Sequence, residues 1–438
     1  MITRIEAINY RCFRHLDIQI GAYQVFAGVN GSGKTTLLDI PVLLGDMLNS
    51  SITNAFLEKP AHYGSPRAQS FEELVHRKQG SFFSLVLEVD LPAEIIDKLV
   101  NSDDYRVPKK MLEDPSKWLR AMRYEIRFEL FNQRELQVSD EFLYLLPKSD
   151  SKVSARSPQH LGGVGNPPLK AWHTVIERQN GKESILRAEM PSRATGKRRE
   201  TPIQLDSEEL ALANVFADID KFPATLWFRE LLERKAIQYM PSGTRLRKPC
   251  SPSRLASKLW SDGANLPWLV LYLKQQQGDM FEAWIDHVRT ALPNISQIDA
   301  VERAEDHHAY LRVTYAGDYE VTSSGLSDGT LHIFALTILP YLRELPELIC
   351  VEEPENGIHP RAIETVLQSL SSIYDSQVWV TTQSPVVLAH TEDLASVTVM
   401  QTHNDGSVTA VLGSKHPRLQ DWQSSIDLGS LFAAGVLA

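Results

Sequence analysis

The sequence predicts an α/β fold with a mainly parallel sheet at its core, and three stretches carry that expectation. Gln24-Val25-Phe26-Ala27 is a short apolar run that enters a glycine-rich turn. It leaves that turn in a segment with Leu37, Leu38, Ile40, Leu43, Leu44 and Met47 at helical spacing. Leu348-Ile349-Cys350-Val351 is apolar at every position, as suits a strand covered on both faces. Beyond it, residues 360–373 place Ile363, Val366, Leu367, Leu370 and Ile373 on one helical face behind Pro360, and Val378-Trp379-Val380 supplies another strand. Residues 347–383 therefore read as a strand–helix–strand unit.

The other elements follow in chain order. Residues 2–20 alternate loosely among β-branched and aromatic side chains, which predicts one or two strands. The helix after the glycine turn runs from Lys34 to about Leu48, with Pro41 as a kink. Residues 81–90 and 123–130 read as strands, and residues 172–178 and 183–187 flank Asn180-Gly181, a strong hairpin signal. Residues 148–168 are rich in Ser, Gly and Pro and read as an exposed loop; the polar stretch 191–206 reads as a second, mobile one. Helices are expected near 208–218, 223–236, 252–260, 264–276, 279–291 and 331–345. There is no internal repeat and no sustained heptad pattern.

Composition narrows the class. A chain of 438 residues has room for two to four domains at roughly 100–200 residues each. With 43% hydrophobic and 23% charged residues it is neither wholly disordered nor fibrous. Lys and Arg number 45 against 55 Asp and Glu, a net charge of −10, so bulk charge does not draw it to nucleic acid and any such contact has to be a local patch. Cys12, Cys250 and Cys350 are scattered without a CxxC pair, which supports neither a disulfide framework nor a cysteine zinc site. His307-His308 has no standard metal spacing and reads as part of a polar turn. No run of about 18 apolar residues is present and MITRIEAINYRCF lacks an apolar h-region, so the expectation is a cytoplasmic protein with no membrane contact.

Gly28-Val29-Asn30-Gly31-Ser32-Gly33-Lys34-Thr35 fits G-x-x-x-x-G-K-[ST] between a strand and a helix, the context that gives this motif meaning. Glycines let the backbone wrap so that N–H groups, including those of Asn30, Gly31, Ser32 and Gly33, face phosphate oxygens, and the helix start adds its positive end. Lys34 supplies a cation for the β- and γ-phosphates. Thr35 offers a hydroxyl to Mg²⁺ and Thr36 reaches the α-phosphate. Glu352-Glu353 end the apolar run 348–351, and the carboxyl ends of parallel strands are where ligands bind. One acid, Glu352, suits the Mg²⁺ shell. The other, Glu353, suits a general base for the attacking water.

Together these residues resemble the ABC-type P-loop ATPases, and within them the SMC/RecF/OLD-like branch, an AAA-family type found in bacterial DNA repair and antiphage defence. The match rests on the phosphate loop, on Leu326-Ser327-Asp328-Gly329-Thr330 as the signature, on residues 348–360 as Walker B and D-loop, and on Val380-Thr381-Thr382-Gln383-Ser384-Pro385 as the switch segment. It is concentrated in about 1–40 and 320–390. Between them only Asp262-Gly263-Ala264-Asn265-Leu266 is similar to a recurrent DGxNL segment of the branch.

The resemblance implies a P-loop NTPase head with an N-terminal antiparallel β layer and an inserted helical lobe. The head would be divided into an N-terminal half at 1–90, an inserted lobe at 91–320 and a C-terminal half at 321–438. It implies ATP and Mg²⁺, and a homodimer or higher oligomer that sandwiches ATP, with Ser327 and Gly329 contacting the γ-phosphate held by the other copy's Lys34. Arg11, in Tyr10-Arg11-Cys12-Phe13-Arg14, would lie near the ribose or phosphates. Two positions depart from the family pattern: Glu352 stands where Asp is usual, and Gln383, whose amide cannot titrate, stands where His is usual.

The missing heptads argue against a long SMC arm, and the wide separation of Lys34 from Ser327 argues against a transporter domain. The stretch after Gln383 is too short for an OLD-type Toprim nuclease, which predicts a separate effector protein, a nuclease or toxin. Arg193, Lys197, Arg198 and Arg199, and Arg245, Arg247 and Lys248, are the places where DNA could be held, though solvated loop charge or a subunit contact is the simpler account of them. Three functions follow: an ATP-hydrolysing switch, a nucleotide-gated scaffold with little turnover, and an ATP-dependent DNA clamp.

Overall fold

The computed structural model describes residues 1–59, 64–101, 107, 111, 113–132, 134–147, 171–216, 218, 221–252, 258–391, 393–419 and 427–437. They form two compact units whose chain segments interleave. One comprises Met1–Gly21, Gly31–Lys235 and Gln401–Ala410; the other comprises Ala22–Asn30, Ala236–Met400 and Val411–Ala438. The fold is α/β, with an antiparallel β layer in the first unit and a mainly parallel sheet in the second. No helix among the described residues is long and apolar enough to cross a membrane.

The chain opens with β1 (Ile2–Tyr10) and β2 (Phe13–Gln19), an antiparallel hairpin, before β3 (Tyr23–Ala27) starts the second unit. The first unit continues with β4 (Phe82–Asp90), β5 (Ala121–Phe131), β6 (Glu135–Leu146), β7 (His173–Gln179), β8 (Ser184–Arg187) and β9 (Glu200–Ile203). Its sheet has the order β2-β1-β4-β5-β6-β7-β8-β9. Phe83 stacks on Phe128 with ring centres 4.8 Å apart, and Phe56 meets both rings edge-on. The same sheet buries charge. Arg123, 1% exposed, donates to Glu6 (2.8 Å), Glu125 (2.5 Å) and Glu88, while Arg4 pairs with Asp17 at 2.7 Å and Glu6 at 3.1 Å. Opposite charges brought together from strands β1, β2, β4 and β5 make this burial tolerable.

The second unit adds β10 (Ala236–Tyr239), β11 (Ile295–Glu302), β12 (Ala309–Tyr315), β13 (Tyr319–Thr322), β14 (Leu348–Glu352), β15 (Gln377–Thr382), β16 (Val397–Thr402) and β17 (Val408–Leu412), the last two reaching into the segment 401–410 of the first unit. The central sheet runs β10-β14-β15-β3-β16-β17, and every pairing from β10 through β16 is parallel. β15, buried at all six residues, sits between β14 and β3, which explains the apolar run Val378-Trp379-Val380 at its centre. Helices Leu266–Gln276, Gly278–Ala291, Asp328–Thr337 and Pro360–Ser371 surround a core that includes Trp284 and Phe334, whose rings meet edge-on.

Several expectations are corrected here. Where a helix was expected over 208–218, residues 208–216 form successive turns, because the buried carboxylate of Glu141 accepts from the N–H groups of Ala211 (2.6 Å) and Leu212 (2.8 Å), which a helix would need to aim elsewhere. The stretch 191–206 is not simply a loop: it contains β9, and Arg198 is anchored to the carbonyls of Ala188 and Thr174, each at 2.6 Å. The helix expected over 331–345 is Asp328–Thr337; Pro340 cannot donate a backbone bond, and Leu339–Tyr341 tightens into a 3₁₀ turn. The helix over 223–236 stops at Glu230 and widens to a π turn through Lys235. β6 and the three-stranded sheet β11-β12-β13 were not foreseen. The loop 148–168 lies outside the described residues, as does most of the helix expected near 252–260.

Candidate nucleotide-binding site

In the first unit, residues 31–36 carry the latter part of the phosphate loop and lead into helix Lys34–Asn49. Gly31 (φ 80°) and Gly33 (φ 81°) are both left-handed, a conformation that lets successive N–H groups converge and that L side chains resist. Space adds a second demand at Gly33. A Cβ there would meet Cys12 Sγ at 2.6 Å and Phe13 Cζ at 3.0 Å, so strand β2 and the residue before it press on the loop from behind. The first helical turn holds no acidic residue, leaving its positive end available to an anion.

Ser32 is fully buried and its Oγ has no hydrogen-bond partner, and Lys34 is only 6% exposed. An orphaned buried hydroxyl at the positive end of a helix is costly and becomes favourable when it faces a phosphate oxygen, and the ammonium of Lys34 next to it brings charge of the sign that suits the same anion. These residues therefore fit a nucleotide's phosphates. Cys12, beside them, is pushed up to about 11 by burial, so it stays a neutral thiol that hydrogen-bonds Thr36. Arg11 is half-buried with φ 51°; its guanidinium donates to the carbonyl of Arg67 and lies 5.8 Å from the Tyr10 ring. Arg67 in turn grips Asp39 of the loop helix with Nε to Oδ2 at 2.8 Å. Tyr10-Arg11-Cys12 thus buttresses the loop helix.

In the second unit, three parallel strands end side by side. Gly28, leaving β3, donates its N–H to Thr382 at 3.2 Å, and Glu352 of β14 is in register with Thr381 of β15. Glu352 is half-buried, and its Oε1 accepts from Gln238 Nε2 at 2.6 Å. Glu353 follows with φ 42°, a left-handed turn that costs a non-glycine residue roughly 1–2 kcal/mol. The turn directs its carboxylate to two amides: Asn356 Nδ2 at 2.8 Å and Gln383 Nε2 at 3.1 Å, both on Oε2. Glu355 is tied to Thr382 Oγ1 at 2.6 Å, while its Oε2 is buried without a partner and burial raises its pKa.

Ser327 caps helix Asp328–Thr337, its Oγ accepting from Thr330 N at 3.2 Å. Gly329 lies flat on the carbonyl of Gly357, with no space for a Cβ. The signature helix is thereby packed directly on the loop that leaves Glu353.

The structure places Arg11, Gly31, Ser32, Gly33, Lys34, Thr35 and Thr36 in the first unit and Asn30, Ser327, Gly329, Glu352, Glu353 and Gln383 in the second. It brings Glu353 against Gln383 and Gly329 against the Glu353 loop. Sequence reasoning passed over Gln238, Glu355 and Asn356. The last two stand inside Glu353-Pro354-Glu355-Asn356-Gly357, where polar residues after a buried strand were a usable signal; Gln238 had none.

A family model described as "AAA domain, putative AbiEii toxin, Type IV TA system" matches residues 25–389. No curated protein matches the chain. Similar solved structures are SMC head domains. One, bound to the C-winged helix domain of ScpA, gives a TM-score of 0.49 at 11% identity over 94% of this chain and 96% of that one. Another, an Smc head with an extended coiled coil bound to the C-terminal domain of ScpA derived from Pyrococcus furiosus, gives 0.47 at 12% identity over 94% and 95%. The SMC head domain from Thermotoga maritima gives 0.39 at 11% identity over 94% and 98%.

Proposed function

This chain belongs to the AAA domain family of the AbiEii type, a family of nucleotide-binding P-loop ATPases, and from that premise we propose that it binds Mg–ATP, dimerises around it and ends that state by hydrolysis. The observation that carries the reading is Glu353. Its carboxylate is aimed by a strained backbone and two amides at the carboxyl ends of parallel strands, where a water attacking a phosphate is activated. Strain kept at a polar strand end is hard to explain as packing.

In this reading the N–H groups of residues 30–33, Lys34 and Thr36 hold the phosphates, and Arg11 supports that end of the loop. Thr35 and Glu352 would hold Mg²⁺, which supplies neutralising charge to the phosphates. Gln238 keeps Glu352 oriented. Glu353 takes the proton from water, and Gln383 orients Glu353 and donates to the γ-phosphate. Ser327 and Gly329 of a second copy close over that phosphate. The setting is cytoplasmic, in bacterial DNA repair or antiphage defence, with a separate nuclease or toxin as effector.

A nucleotide-gated scaffold is favoured by one contact, the amide of Gln383 held on Glu353, which keeps the base engaged and adds no titrating group. The DNA-clamp reading is weakened, since Arg198 is spent on backbone carbonyls and Arg247 on Asp328.

The test compares wild type with Glu353→Gln for Mg-dependent phosphate release and for binding of a fluorescent ATP analogue. Loss of a general base is expected to slow release about 10²–10⁴-fold with binding retained. Wild type that binds ATP without turnover makes the chain a scaffold; wild type that binds no nucleotide refutes the proposal.

A further inference from the structure

The signature of this chain carries an acid, Asp328, at the tip that would approach a triphosphate, and on its own that charge opposes the approach. The structure pairs it. Arg247 Nη1 donates to Asp328 Oδ1 at 2.6 Å, and Arg247 Nε donates to the carbonyl of Leu326 at 3.2 Å, so one guanidinium holds both sides of Ser327. Ser323 Oγ donates back to the carbonyl of Arg247 at 3.3 Å. Gly243, one turn earlier, has no room for a Cβ beside the same carboxylate, so Asp328 lies on bare backbone.

The arm that presents Arg247 is itself fixed by the DGxNL segment. Met240 N bonds Ser261 O at 2.7 Å and Ser242 N bonds Asp262 O at 3.0 Å. Asp262 Oδ1 accepts from Ala264 N at 3.0 Å, and fully buried Asn265 bridges Trp260 N (3.2 Å) and Lys258 O (2.7 Å). A residue set that looked in sequence like an isolated motif is the foot of a brace whose head is Arg247.

We propose that Arg247 is a positioning residue for the ATP sandwich: it cancels the charge of Asp328 and sets the backbone of the signature loop so that Ser327 can close on a phosphate held by a second copy. The proposal rests on the sandwich reading of the previous section. Like charges brought together at an interface oppose association strongly, and exposed charges act through solvent that salt can screen.

The experiment measures dimerisation by analytical ultracentrifugation with Mg and a non-hydrolysable ATP analogue, and analogue binding by the monomer at dilution. Arg247→Ala is expected to weaken the dimer roughly tenfold with monomer binding and melting temperature unchanged. Arg247→Ala combined with Asp328→Asn should regain most of the loss, and the loss should shrink at high salt. Arg247→Ala dimerising like wild type, or a double variant no better than the single, overturns the role of Arg247 and leaves the sandwich intact. Wild type that does not dimerise with the analogue overturns both.

Discussion

Gly33→Ala and Gly31→Ala separate two demands that the phosphate loop makes on its backbone. Both glycines are left-handed, at φ 81° and 80°, so either alanine carries a conformational cost of roughly 1–2 kcal/mol, partly offset by a stiffer unfolded chain. Nothing lies within 4 Å of a Cβ on Gly31, and the cost there ends with the backbone. On Gly33 the Cβ meets Cys12 Sγ at 2.6 Å and Phe13 at 3.0–3.1 Å, an overpacked contact that adds about 1–3 kcal/mol. Gly33→Ala should therefore destabilise by about 2–5 kcal/mol against about 1–2 for Gly31→Ala. The check is urea unfolding of both variants, followed by a double-mutant cycle with Cys12→Ala, which removes the nearest atom. A coupling of about 1 kcal/mol or more between positions 12 and 33 is expected. Equal losses for the two glycines, or a cycle that closes at zero, would show that the thiol does not press on the loop and that the buttress argument is wrong.

Two further outcomes concern the first unit. Arg123→Met strands Glu6, Glu88 and Glu125 in the sheet with less positive charge and should cost about 3–5 kcal/mol at neutral pH. Because burial already raises Glu6, whose protonation then becomes easier still, the variant should recover stability as pH falls, read by thermal melts across pH. Glu189, buried under helix Pro223–Glu230 and accepting from Ala224 N, Thr225 N and Thr225 Oγ1, is pushed up by burial to about 7. A raised acid favours the folded state below its unfolded pKa and loses that advantage as pH climbs from about 4.5 to about 7. Its neighbour His173, lowered by burial to about 4, acts oppositely, since stability is lost as pH falls from about 6.5 to about 4. His173→Asn should expose the Glu189 slope, so that the variant's melting temperature falls between pH 5 and 7 more steeply than wild type's; parallel profiles would refute the assignment.

Local chemistry decided a good deal of this protein before any contact was known. The phosphate loop was legible because G-x-x-x-x-G-K-T needs only its own backbone and the helix it starts. Strand β14 and its neighbour β15 were legible because full burial on both faces leaves an apolar run that no surface strand shows. Helices Leu266–Gln276, Gly278–Ala291 and Pro360–Ser371 appeared within a few residues of where their periodicity placed them.

Long-range contacts decided the rest. Residues 208–218 have helical spacing, yet a carboxylate from β6, Glu141, captured two of their N–H groups, and no local pattern encodes a partner some seventy residues away. Arg198 reads as solvated loop charge until two carbonyls claim it. Arg247 likewise reads as surface charge until Asp328 lies beside it. Sequence alone therefore set which chemical groups are present and which short elements carry them. Tertiary structure alone set whether each charge is spent on the chain itself or left to meet a ligand, because a charge finds its partner through space and not along the backbone.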